Sequence, residues 1–281
     1  MIKKIIGKIL IHVILIITSL LSIFPFIWLT STSLKGLNED IFAYPPHFIP
    51  TDFTWVNYID VWDKVNFIGY FWNSVVVAAL TVILNLILSS LAAYPLARMN
   101  FKGKKIVFFS ILATIMIPFQ AIMLPVYIIT LKLHLIDSVN SIMGYIGLVM
   151  PFAVSAFGIF LMRQAFLKVP KEVEEAAIVD GCNVFQMFTR VVIPMVKPTL
   201  AVLAVFTFIG SWGEFLWPSI MLTKESMYTL PVGINNLQGM FSSNWRFIAA
   251  GSIISTIPII VFFLMMQRYF ISGENDGAVK G

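Results

Sequence analysis

Six long apolar stretches alternate along the chain with short segments that carry nearly all of its charge. They run over Ile9–Thr30, Phe71–Ala97, Ile106–Thr130, Ile142–Met162, Leu200–Leu222 and Phe247–Phe270. Crossing the hydrocarbon core of a bilayer takes about 20 apolar residues at a rise of about 1.5 Å each. Each stretch therefore predicts one transmembrane helix, and the whole an all-α polytopic membrane protein forming a single transmembrane domain over 1–281. Lys3, Lys4 and Lys8 precede the first stretch as in a secretory signal. Its apolar part exceeds the roughly 7–15 residues of a signal core and no Ala-x-Ala site follows, so it reads as an uncleaved span.

Composition supports the same reading: 59% of residues are hydrophobic, 12% are charged, and the mean hydropathy is +0.90. A water-soluble domain keeps about a quarter of its residues charged. The net charge of +5 does not point to nucleic acid, because the basic residues flank the spans and form no basic face. With the N-terminus inside, 14 of the 19 Lys and Arg fall on the cytoplasmic side and 5 outside, which places both termini in the cytoplasm. Cys182 is alone, and His12, His47 and His134 lie far apart, so neither a disulfide framework nor a metal centre is expected.

Two connections are too long to be turns. The outer one, about 35–70, carries Pro45, Pro46 and Pro50 with Trp55, Tyr58 and Trp62, aromatics suited to a membrane interface. The cytoplasmic one, about 167–199, predicts two short helices. Pro170 suits a helix start, Glu172, Glu174 and Glu175 favour the positive end of its dipole, and Gly181 stops it. Asn183 with Gln186 forms a capping box for the second helix, which Pro194 and Pro198 separate from the fifth span. Val173, Ala176, Ala177 and Asp180 fall on one face of the first helix, suited to close approach by another protein. The alternative is an amphipathic helix lying on the membrane surface.

Glu214 is the one carboxylate well inside an expected span, where an ionisable group is costly and faces a cavity or a partner. Gly210, Gly213 and Pro218 predict a break in the helix around it. Glu214, Trp212 and Trp217 are thus candidates for a polar path with aromatic walls. The competing reading has Glu214 bonding the frayed backbone. Pro118, Pro125 and Pro151 predict kinks in the third and fourth spans, read as structural.

The stretch Glu175-Ala176-Ala177, then Gly181, then Val191-x-Ile193-Pro194 resembles the Glu-Ala-Ala loop of permeases of ATP-binding-cassette (ABC) importers, with Val and Ile where that pattern has Ile and Leu. The likeness extends over nearly the whole chain. It takes in Ser33-Leu34-Lys35, Asn57-Tyr58, Ala93-Tyr94-Pro95-Leu96-Ala97-Arg98, Met116-Ile117-Pro118 and Phe160-Leu161-Met162-Arg163-Gln164. Further on it includes Trp212-Gly213-Glu214-Phe215-Leu216-Trp217-Pro218, Thr229-Leu230-Pro231-Val232-Gly233, Gln267-Arg268-Tyr269-Phe270 and Gly277–Gly281. Together these are similar to the second, six-span permease subunit of carbohydrate importers of the maltose type. Gly213 departs from the pattern, which usually has Asn there.

The resemblance implies a type I importer permease in a bacterial or archaeal inner membrane, a transport subunit and not an enzyme, forming half of a sugar path. Implied partners are a second homologous permease, two ATPase subunits that bind ATP and Mg, an extracytoplasmic solute-binding protein and membrane lipid. The chain has no Gly-x-x-x-x-Gly-Lys-[Ser/Thr] loop of its own. Glu174, Glu175, Ala176, Ala177, Asp180, Gly181, Val191, Ile193 and Pro194 would form the element coupled to the ATPases. Asn235, Asn236 and Gly239, in the outer segment 227–245, would touch the binding protein. Two rivals remain: an ABC permease for an amino acid or polyamine, and a proton-coupled secondary transporter using Glu214.

Overall fold

The computed structural model describes residues 2–64, 66–136, 141–240 and 244–275. The C-terminal motif Gly277–Gly281 lies outside the described residues. Among the described residues fourteen α-helices follow in order. They are α1 (Ile2–Ser33), α2 (Val56–Lys64), α3 (Phe67–Arg98), α4 (Lys104–Thr114), α5 (Phe119–Lys132), α6 (Ser141–Val149) and α7 (Ala156–Lys168). Then come α8 (Lys171–Val179), α9 (Val184–Gln186), α10 (Ile193–Met195), α11 (Lys197–Trp212), α12 (Leu216–Met221), α13 (Leu230–Met240) and α14 (Trp245–Asn275). Among the described residues the only β pairing is an isolated antiparallel bridge between Lys35 and Phe53.

Three of the six expected spans are unbroken helices: Gly7–Ser33, Phe67–Arg98 and Trp245–Tyr269. The other three lie on bent helix pairs. The third turns by 98° between α4 and α5. Pro118, extended at φ −64° and ψ 138°, supplies no N–H there, and three successive i→i−3 bonds from Ile115, Met116 and Ile117 tighten the end of α4. The fourth turns by 58° between Phe152 and Ala156, directly after a 3₁₀ turn at Met150–Phe152 that contains Pro151. The fifth is shorter than the expected Leu200–Leu222. Its helix α11 stops at Trp212, α12 restarts at Leu216, and the break falls on Gly213 to Phe215.

The chain divides into two compact units. The first comprises 1–68 and 233–258. The outer connection is folded in it by a buried ion pair: Lys35 Nζ lies 3.2 Å from Glu39, and both side chains are almost wholly buried. The backbone N–H groups of Thr51 and Asp52 donate to Glu39 Oε2 at 2.8 and 3.1 Å, and Arg246 donates to the Glu39 carbonyl. Two sequence motifs meet here. Asn57 Nδ2 donates to the carbonyls of Ser33 and Lys35, and the Tyr58 and Ser33 hydroxyls are 2.7 Å apart.

Burial pulls the Glu39 carboxyl upward, but the hydrogen bonds from Asp52 and Thr51 and the contact with Lys35 outweigh it and leave the pKa below the usual 4.5. A depressed carboxylate stabilises the fold above its unfolded pKa and loses that contribution as pH falls through the folded value. Protection of the Thr51 and Asp52 amides against hydrogen exchange is therefore expected to hold down to pH 4.5 and to fall below it. Glu39→Gln should remove that pH dependence.

The second unit comprises 69–232 and 259–281. One end is a core of Tyr94, Phe166, Val192 and Leu203 with neighbours from α4, α7, α8 and the stretch 187–192, which is a π-helix. A second core gathers Val77, Leu148, Trp217 and Met221.

Candidate functional site

The second unit holds a cavity of about 590 Å³, lined by residues of α3, α4, α5, α7 and α11, of the turns after α4 and α6, and of the break after α11. The third and fourth spans contribute near their bends, and the fifth where its helix breaks off. Ile115, Ile117 and Phe119 flank the Pro118 turn, Pro151, Phe152 and Ser155 the 3₁₀ turn, and Ser211 and Glu214 the end of α11. A straight helix offers a cavity only side chains, whereas a break also frees backbone polar groups, which must find partners in a protein interior or a water-filled path. The polar positions on the wall are Thr81, Asn85, Thr114, Ser155, Thr207, Ser211 and Glu214, and the rings are Phe119, Phe152, Phe157 and Phe206.

Asn85 organises this wall. Its Nδ2 donates to the Phe152 carbonyl at 3.0 Å, so the 3₁₀ turn of the fourth span is held by α3. Its Oδ1 accepts from Ser89 and Ser155 at 3.2 and 3.3 Å, while Ser155 Oγ also accepts from Gly158 N and so caps α7. Asn85 and Ser89 were not among the residues singled out from sequence. A signal was present, because Thr81, Asn85 and Ser89 recur four residues apart along the second apolar stretch and so share one helix face.

Glu214 lines the cavity. It also accepts a hydrogen bond from Trp217 N at 3.0 Å, so the carboxylate caps the restarted helix α12. Both readings of Glu214 thus have a geometric counterpart. Trp212 and Trp217 do not line the cavity. Trp217 is fully buried, its Nε1 donating to the Gly147 carbonyl at 3.2 Å and its ring edge-on to Phe119. Trp212 is buried between Phe71 and Phe208. Both indoles sit in packing within the chain.

This chain does not close the cavity. Ile115 and Ile117 on the wall are each 51% exposed and Phe206 is 60% exposed. The wall is open on that side.

In the segment 167–199 both expected helix ends are present. Gly181 adopts φ +81° after α8, a left-handed conformation that glycine reaches without steric cost. Asn183 and Gln186 form the capping box, with bonds of 2.9 and 3.0 Å. The expected face of α8 is split: Ala177 is buried in the first core and Val173 half-buried, whereas Ala176 and Asp180 are exposed. Val191 and Ile193 pack against the same core, while Glu175, Gly181 and Pro194 are exposed. Pro194 lies inside α10, and the 79° turn into α11 falls between Met195 and Lys197. The tip of the segment bears a cluster of bare apolar side chains: Ile178, Val179, Val184 and Phe185 are 61–87% exposed. In the first unit α13 carries Asn235, exposed, Asn236, half-buried, and Gly239. Among the described residues no group of His, Cys, Asp and Glu is placed to hold a metal ion.

Residues 85–273 match the family described as the binding-protein-dependent transport system inner membrane component. The chain belongs to this family. It is 37% identical over 272 residues to the arabinooligosaccharides transport system permease protein AraQ of Bacillus subtilis, covering 94% of this chain and 92% of that one. It is 30% identical to the diacetylchitobiose uptake system permease protein DasC of Streptomyces coelicolor over 99% of both chains. Among solved structures it resembles a chain of a bacterial ABC transporter involved in the import of the acidic polysaccharide alginate. The TM-score is 0.79 and the identity 26%, over 94% of this chain and 96% of that one. The chain is therefore an all-α inner-membrane transport permease whose bent helices belong to the ABC-importer permease fold.

Proposed function

We propose that this permease forms one half of the translocation path for a neutral oligosaccharide. The cavity carries the reading: it joins hydroxyl, amide and phenyl groups, the surfaces that meet the hydroxyls and the apolar faces of a sugar. Its wall bears one carboxylate, Glu214, and no lysine, arginine or histidine. That charge pattern suits an uncharged chain and disfavours a uronate, whose own carboxylate would face Glu214 at low dielectric. The relatives named for arabinooligosaccharides and diacetylchitobiose point the same way.

The open side of the cavity calls for a second, homologous permease, and energy comes from two separate ATPase subunits that hold ATP and Mg. Their docking surface is the segment 167–199, where a bare apolar tip is flanked by Glu175, Asp180 and Gly181. The charge distribution puts this segment and both termini in the cytoplasm. Asn235, Asn236 and Gly239 of α13 lie on the outer side, where a loaded sugar-binding protein docks.

Affinity purification of the tagged chain from its native membrane tests the assembly. Recovery of a second permease and ATPase subunits, with hydrolysis stimulated by a binding protein loaded with a neutral oligosaccharide, is the expected result. A chain that purifies alone and moves solute on a proton gradient overturns it. In the reconstituted complex Glu214→Gln keeps the oxygen that accepts from Trp217 N, so stability in detergent is expected to be unchanged while uptake falls. Unchanged uptake would restrict Glu214 to capping α12.

A further inference from the structure

We infer that Arg98 and Glu174 form a brace that carries displacement of α8 into α3, making Glu174 an inward-facing positioning residue. The inference rests on the coupling role proposed for the segment 167–199. Arg98 is the last residue of α3 and 9% exposed; Glu174, on α8, is 16% exposed, and its Oε1 lies 2.6 Å from Arg98 Nε. Apart from each other these two atoms have no partner among the described residues. Arg98 also donates through Nη2 to the Val169 carbonyl, at the start of the loop. The other glutamates of α8, Glu172 and Glu175, are exposed.

The surroundings leave Arg98 free for this task. Carbonyls near the C-terminal end of α3 are taken by other cations. Arg163 Nε donates to Leu96 O while its guanidinium lies 4.0 Å from the Phe108 ring centre, and Lys104 Nζ donates to Ala97 O and Met99 O. Beneath the brace the rings of Tyr94, Phe166 and Phe188 meet edge to face with centroids 5.1–6.2 Å apart, a packed core that resists shear. An ion pair removed from water is lost at high cost when one partner goes. Displacement of α8 relative to α3 therefore breaks the pair or moves the helix.

The far end of this route is on the cavity wall. α3 is continuous for 32 residues, about 48 Å at 1.5 Å per residue. Thr81 and Asn85, on the same helix as Arg98, line the cavity, and Asn85 holds the 3₁₀ turn through the Phe152 carbonyl. One unbroken helix, with Pro95 three residues before Arg98, thus joins the loop brace to the bend of the fourth span, a contiguous physical route between ATPase and cavity.

The test uses the reconstituted importer with Arg98→Glu, Glu174→Arg, the double exchange, and Glu174→Gln as the variant that keeps shape. Three readouts are taken: ATPase co-purification, hydrolysis stimulated by loaded binding protein, and solute moved per ATP. Expected are single variants that retain the ATPases but lose about tenfold or more in solute per ATP, within the usual range of coupling strengths. The double exchange should recover most of the loss. Wild-type solute per ATP in Glu174→Gln and the charge reversals overturns the brace, as does a double exchange no better than the worse single. Single variants that lose the ATPases altogether make Glu174 a docking contact, which overturns the brace and leaves the proposed function standing. A wild-type chain that recruits no ATPase rejects the coupling role itself.

Discussion

Gly181→Asp is expected to leave insertion, folding and detergent stability intact while reducing ATP-driven uptake by at least about tenfold, a coupling loss of ordinary size. The Cβ it would add meets nothing within 4 Å, so the chain itself has room. Its cost in the free permease is that of a non-glycine residue in the left-handed region, about 1–2 kcal/mol and at the lower end for Asp. The damage falls on the docked state, where a charge enters a surface that must close against an ATPase. Gly103 supplies the control, because its φ is +84° and it too has nothing within 4 Å. Gly103→Asp imposes the same backbone strain away from the docking surface, and near-normal uptake is expected. Equal losses in both variants, measured in proteoliposomes at matched expression, would trace the defect to the backbone and remove Gly181 from the docking surface.

Trp217→Ala is expected to have the largest effect on stability, about 3–5 kcal/mol by the usual cost of emptying a buried aromatic site. The indole is fully buried, joins Phe119 to the second core, and holds the Gly147 carbonyl. Trp217→Phe keeps most of the volume and leaves that carbonyl unpartnered, for roughly 1–3 kcal/mol. Thermal unfolding in detergent should rank wild type above Phe and Phe above Ala. An Ala variant that melts with the wild type would mean that the break after Trp212 is held elsewhere.

The parts of this structure that local chemistry decides were legible in the sequence. Pro170 and Gly181 bracket α8, Asn183 and Gln186 start α9, and Gly213 with its neighbours breaks the fifth span at Glu214. Length and polarity located the six apolar stretches, but neither reports whether a span is straight. Pro118 announced a kink, yet the 98° turn depends on what α4 and α5 pack against.

The largest misreading concerned the tryptophans. In a soluble protein a buried face stands out against a polar one, but in a bilayer the outer solvent is as apolar as the core and that contrast disappears. An indole inside a span is therefore as compatible with a packed interior as with the path wall expected of Trp212 and Trp217. Polar residues inside a span escape this ambiguity, and the four-residue spacing of Thr81, Asn85 and Ser89 carries a signal that the tryptophans do not. The Arg98–Glu174 pair joins residues 76 positions apart, a relation set by tertiary packing and invisible to any local pattern.

The cavity wall left open at Ile115, Ile117 and Phe206 has an evolutionary consequence under the proposed pairing. Half of the passage is written in this gene and half in another, so a substitution that reshapes one face is read by solute only together with the opposite face. Changes of diet are then inherited most readily as exchanges of matched gene pairs, with single-gene drift confined to surfaces that neither partner nor sugar meets.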